Sequence, residues 1–134
     1  MSTVQVTITN ENEYAVDEEA LIASVKETLA QISLPPVSVD ISIVDEAVIA
    51  RLNETALEQE GATDVLSFPQ YEDVAEVRAA ATLLAAETAV PLGDIVASYP
   101  RARSDARMHG GTAQRQLEFY IRHSIMHLLG FHHE

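Results

Sequence analysis

From Val37 to Ile43, apolar and polar residues alternate without a break, with Val37, Val39, Ile41 and Ile43 set against Ser38, Asp40 and Ser42. Successive side chains of a strand point to opposite faces, so a period of two specifies a β-strand with one buried face. Pro35 and Pro36 precede it and stop any helix running into it. A half-buried strand needs sheet neighbours and a covering layer, and the flanking sequence supplies both. Val4, Val6 and Ile8 alternate in the same way and predict a first strand near residues 3–9. Between the two, Asp17 is placed to cap a helix with Glu18 and Glu19 in its first turn and Leu21, Ile22, Val25, Leu29 and Ile32 on one apolar face.

Further along, Asp45 is placed to cap a short helix carrying Val48, Ile49 and Leu52. Short strands are expected at Asp64–Phe68 and Asp94–Ser98. The alanine-rich stretch 73–90 reads as a helix presenting Val74, Val77, Ala81, Leu84 and Ala85, or else as a mobile insertion with little bulk to bury. Arg101–His109 reads as a helix ended by Gly110 and Gly111, and Thr112 as the cap of a last helix with Leu117, Ile121, Ile125 and Leu128 at helical spacing. The expected architecture is α+β: a single domain over residues 1–134, with one roughly four-stranded mixed sheet packed with helices. A chain of 134 residues with 47% hydrophobic content can fill one such core.

The chain has no cysteine, so a metal site can use only histidine and carboxylate. It shows no secretory leader and no run of about 18 apolar residues, and the expected location is the cytoplasm, with no membrane partner. A net charge of -13 opposes indiscriminate binding to nucleic acid. That charge is unevenly placed. Residues 1–99 balance at -15, whereas 100–134 hold Arg101, Arg103, Arg107, Arg115 and Arg122 against three acidic residues, and all five histidines. The asymmetry fits either a solvated acidic body with an ordinary arginine-bearing helix or an anion-facing site at the C-terminal end.

His123 and His127 are one turn apart on one face of the last helix, close enough to grip one ion. Gly130 can take the left-handed conformation that ends a helix and turn the chain so that His133 returns as a third ligand. Histidines at relative positions 0, 4 and 10 with glycine at 7 match the spacing of a zincin-like metal helix. Three ligands leave a fourth position for water or substrate, the catalytic arrangement of zinc. The bland alternative is a pair of satisfied core histidines with a polar tail. Ser124 occupies the position where HExxH peptidases carry their general-base glutamate, which removes the base from that route. Phosphodiester cleavage needs that base less, because zinc lowers the pKa of a coordinated water to about 7 and polarises a phosphoryl oxygen.

The stretch His123 to His133 closely resembles the H-G-x-L-H-L-x-G-Y-D-H signature of YbeY-type endoribonucleases. Thr63-Asp64-Val65-Leu66-Ser67-Phe68-Pro69 and Leu92-Gly93-Asp94-Ile95-Val96 match that family's T-D-V-L-S-F-P and L-G-D-I-V stretches, with Leu52-Asn53 upstream and His109 before the metal helix. The resemblance implies an α+β fold with a four-stranded sheet, one zinc ion held by His123, His127 and His133, and cleavage of single-stranded RNA. It also implies a role in maturing the 3′ end of small-subunit ribosomal RNA and in ribosome quality control. Ser67, Asp94, Arg115, Arg122 and His109 become candidate substrate-binding residues, and a ribosome or ribosomal-protein partner is expected to deliver RNA to so acidic a chain.

Departures from the family pattern mark what is particular here. Leu57 stands where the family commonly has an arginine, leaving Arg51, Arg115 or Arg122 to compensate. His132 replaces the aspartate before the third ligand, so 132 and 133 compete for that role. Ser124 replaces a glycine. Two rival readings remain. A metallopeptidase or other metallohydrolase would need Asp64 or Asp94 beside the metal. A non-catalytic zinc-stapled binding module would need a fourth ligand such as His132 or His109.

Overall fold

The computed structural model describes residues 3–56, 63–85 and 88–131. Its elements are β1 (Val4–Thr9), α1 (Glu18–Ala30), β2 (Val37–Val44), α2 (Glu46–Ala56), β3 (Val65–Pro69), α3 (Val74–Ala81), β4 (Val90–Ser98), α4 (Tyr99–His109) and α5 (Ala113–Leu128). The sheet order is β1-β2-β4-β3, with β1, β2 and β4 parallel and β3 antiparallel at the edge. The fold is therefore the α+β arrangement with a four-stranded mixed sheet that the sequence predicts.

Local chemistry sets the element starts. The Asp17 carboxylate accepts from the Ala20 amide, Asp45 from Val48, and the Thr112 hydroxyl from Arg115, each satisfying an amide that the first helical turn leaves unpaired. Ile22 is only half-buried, as is Ile32 beyond the end of α1, whereas Leu21, Val25 and Leu29 of α1 are buried. They join Val37, Val39, Ile41 and Ile43 of β2 and Leu117, Ile121, Ile125 and Leu128 of α5 in the main core. Full burial of such a side chain contributes roughly 1.5–3 kcal/mol. On the opposite sheet face, α2 covers a smaller cluster of Ile49, Leu66 and Val96.

Besides β3, which runs one residue later than expected, three elements differ in their bounds. The fourth strand begins at Val90, four residues before the predicted start at Asp94, because Val90 and Pro91 pair alongside β2 and Val90 and Leu92 are wholly buried. Among its described residues the alanine-rich stretch is helical over Val74–Ala81, with Val77 buried, and Leu84 lies exposed beyond the end of that helix. The helix expected from Arg101 starts at Tyr99, since the Ser98 hydroxyl caps it by accepting from the Arg101 amide and Pro100 fits its first turn.

β4 contains a bulge. Ser38 pairs with Pro91 but Val39 pairs with Gly93, so Leu92 is an extra residue. Buried positions consequently change from Val90 and Leu92 to Ile95 and Ala97. Gly93 has φ +136°, and a Cβ there would lie 2.3 Å from the Phe68 carbonyl oxygen, so neither the backbone conformation nor the space admits a side chain.

Candidate functional site

α5 builds the site. Its buried stripe, Leu117, Tyr120, Ile121, Ser124, Ile125 and Leu128, seats the helix on the sheet and on α4. Tyr120 and Ser124 at the edge of that stripe, with Phe119, His123 and His127 beside them, line an open pocket of about 380 Å³ whose other wall is Asp64, Val65, Leu66 and Ser67 from the β3 side. His123 and His127 place their Nε2 atoms 3.0 Å apart, with ring planes tilted by 58°. Two nitrogens at about 2.0–2.1 Å from one tetrahedral zinc would be roughly 3.3–3.4 Å apart, so the pair fits one metal ion with little adjustment. Among the described residues no group of three metal-ligating side chains forms, and the expected third ligand, His133, with its rival His132, lies outside them.

The turn expected to aim the tail is present. Gly130 has φ +88°, its amide bonds to the His127 carbonyl, and the Phe131 amide reaches back to Met126. These two bonds form a Schellman cap. A Cβ on Gly130 would lie 2.4 Å from the Glu72 carbonyl oxygen, so the helix end is seated against the loop before α3.

Ser124, between the histidines, is buried, and its Oγ accepts a hydrogen bond from Ser67 Oγ at 2.9 Å. The motif around Ser67 and the histidine motif thus touch. The register explains why: Ser67 pairs with Ile95, so it shares the face turned toward α5.

Other candidates fall around this centre at different removes. Asp64 lines the pocket, its Oδ1 accepting from the Val65 amide at 2.7 Å and from Thr63 Oγ1 at 3.3 Å. His109 and Arg115 line an adjoining cavity of about 490 Å³ that shares Asp64, Phe119 and Tyr120 with the first. Arg122 is exposed on α5 and lines neither space. Asp94 is not brought to the histidines. It pairs with Asp40 and Phe68 on the sheet face covered by α2, because strand alternation turns it away from buried Ile95. Arg51 belongs to α2, on that same far side, and Leu57 lies outside the described residues.

Sequence reasoning missed Tyr120. Its hydroxyl donates a short hydrogen bond to Asp105, whose other carboxylate oxygen meets Arg101 Nε at 3.3 Å. Burial raises the Tyr120 pKa well above the usual phenol value, and the hydrogen bond to Asp105 and the charges of Asp105 and Asp64 act in the same direction. The phenol is thus a fixed, protonated donor in the wall between the two spaces. Tyr120 and Asp105 are on different helices, so no helical spacing could have paired them.

Fold and pocket together define a class: a small α+β protein whose C-terminal helix presents a histidine pair to an open pocket beside the sheet's edge strand. The chain matches the family described as endoribonuclease YbeY over residues 7–134. It belongs to that family. An endoribonuclease YbeY from Caldanaerobacter subterraneus subsp. tengcongensis is 34% identical over 118 residues, covering 87% of this chain and 75% of the relative. The Myxococcus xanthus counterpart is 36% identical over 106 residues, 79% of this chain but 33% of its own length. For the one from Roseiflexus castenholzii, 37% identical over 99 residues, the shares are 74% and 58%. The match thus spans between a third and three quarters of these relatives. The solution structure of TM1509 from Thermotoga maritima superposes with a TM-score of 0.62 at 26% identity, covering 97% of this chain and 75% of that one.

Proposed function

We propose that this chain is a zinc-dependent endoribonuclease that cuts single-stranded ribosomal RNA, acting as one domain over residues 1–134. The observation that carries the reading is the convergence of the His123 and His127 Nε2 atoms, 3.0 Å apart, at the wall of an open pocket. His133 is the third ligand in this reading, with His132 as its competitor. A metal held there supplies Lewis acidity toward a phosphoryl oxygen and an acidified water as nucleophile. The chain's own residues do the rest. The Ser67–Ser124 bond fixes α5 against β3 and so holds the imidazoles' orientation, and Arg115 attracts the phosphate backbone. Tyr120 offers a protonated donor, and Asp64 sets a carboxylate in the pocket wall.

Membership in a family of endoribonucleases supports RNA as substrate over peptide, as does Ser124 where an HExxH glutamate would stand. Of the two carboxylates a peptidase could have used, Asp94 is on the far sheet face and Asp64 lines the histidine pocket, so family membership and Ser124 carry the choice between the two substrates. His109 lines the adjoining cavity rather than the histidine pocket, which disfavours a zinc staple closed by that residue. The biological role that fits is maturation of the 3′ end of small-subunit ribosomal RNA and ribosome quality control in the cytoplasm. With a net charge of -13, a ribosomal partner that presents the RNA belongs to the same proposal. No helix among the described residues is long and apolar enough to cross a membrane.

The test is elemental analysis of the purified protein and of His127→Ala, paired with cleavage of a single-stranded RNA with and without chelator. Close to one zinc per chain, lost in the variant together with cleavage, is the expected result. Protein that binds zinc but cuts no RNA, alone or with ribosomal subunits, overturns the nuclease reading; protein without metal overturns the metal centre.

A further inference from the structure

We propose that the exposed ring of Phe119 is a stacking platform for one RNA base, with Arg115, one turn earlier, holding a phosphate of the same strand. The proposal rests on the reading of the chain as an RNA-binding nuclease and names a subsite within it.

Arg115, Phe119, His123 and His127 recur every four residues along α5. At a rise of 1.5 Å per residue they form one ridge with steps of about 6 Å. A cation, an aromatic ring and the two imidazoles therefore follow one another along a line, at a spacing on the scale of one nucleotide. Phe119 is 59% exposed, while Leu117, Ile121, Ile125 and Leu128 of the same helix are at most 1% exposed. A phenylalanine left largely in water forgoes most of the gain that burial of its ring would bring. This one stands where the histidine pocket meets the cavity lined by Arg115, and it lines both.

The Phe119 ring lies within 16° of parallel to the His123 imidazole, with centroids 6.5 Å apart. A base stacked on Phe119 is thus carried nearly parallel to the first histidine of the pair, with its backbone led along the ridge toward the pocket. The adjoining cavity has room for the sugar and phosphate: at Gly110 and Gly111 an added Cβ would meet nothing within 4 Å. Of its two carboxylates, Asp105 is engaged by Tyr120 and Arg101, and one oxygen of Asp64 by the Val65 amide and Thr63, which blunts the repulsion an incoming phosphate would meet beside Arg115. Every base has a π-face, so such a platform selects unpaired strands without selecting sequence. A base locked in a duplex cannot reach it.

The experiment measures binding of the full chain to a short labelled single-stranded 2′-O-methyl RNA and to the same strand with abasic sugars, using wild type, Phe119→Ala and Phe119→Trp. The platform requires that wild type prefer the base-bearing strand. Phe119→Ala should lose on the order of 5- to 100-fold in affinity for that strand and little for the abasic one, and Phe119→Trp should restore the preference. Thermal unfolding of each variant checks that the exposed substitution leaves the fold intact. If Phe119→Ala binds both strands as wild type does, or if wild type does not distinguish them or binds neither, the platform is overturned. Cleavage by wild type with no Phe119 effect sinks the platform alone. Base preference that depends on Phe119 in a protein that cuts nothing sinks the nuclease reading and leaves the platform standing.

Discussion

Ser67 and Ser124 meet hydroxyl to hydroxyl at 2.9 Å, joining the edge strand to the middle of the helix that carries both histidines. Ser124 is 1% exposed while Ser67 stands over it, so removing Ser67 leaves a nearly buried hydroxyl without this partner. Ser67→Ala should destabilise the fold by about 1–2 kcal/mol, and Ser67→Ala with Ser124→Ala by less than the two single changes together. Denaturant unfolding of the double-mutant cycle reads this directly. Additive losses would mean that the two hydroxyls do not act as a pair.

Gly130 combines a left-handed backbone with a close approach to the Glu72 carbonyl. Gly130→Ala is expected to cost more than about 1 kcal/mol and to disturb the chain leading to His132 and His133. Zinc content should fall along with the unfolding midpoint. A variant of wild-type stability and full metal content would show that the turn does not aim the tail.

The two tail histidines can be separated by substitution. His133→Ala should lose bound zinc, and His132→Ala should keep it. The reverse outcome would transfer the third ligand to His132 and shorten the ligand spacing by one residue.

Tyr120 gives the stability an alkaline limit. Its phenol is held above the ordinary value of 10.0 in the folded chain, while the unfolded chain titrates near that value. The neutral phenol's contribution is therefore fully present below about pH 10 and is lost as pH rises through the folded pKa. Unfolding midpoints measured from neutral to strongly alkaline pH should fall more steeply for wild type than for Tyr120→Phe. Parallel curves would show that this phenol is not linked to folding.

How much could be read in advance depended on whether the signal was local. The β2 alternation, the caps at Asp17, Asp45 and Thr112, and the four-residue spacing of His123 and His127 are patterns within single elements, and the structure reproduces each. The start of β4 was missed because its bulge breaks the alternation on which strand reading depends. Asp94 was a candidate by motif alone. Knowing which face it occupies requires the pairing of β2, β4 and β3, and no single segment encodes that. Tyr120 with Asp105, and Ser67 with Ser124, are likewise contacts between elements brought together by packing.

The extra residue in β4 has a consequence for how such a chain can change over generations. A second extra residue, inserted between Gly93 and Asp94 with no bulge to absorb it, would move Asp94 from its place beside Asp40 to one beside Ile41, on the core side. Ser67, paired across from Ile95, would lose the neighbour that sets its orientation. The helix bearing the imidazoles would then face a strand presenting the wrong alternate set of side chains. An added residue is thus tolerated only where a bulge absorbs it, as at Leu92, and a strand whose described residues line neither the histidine pocket nor the cavity beside it still decides which side chains are turned toward them.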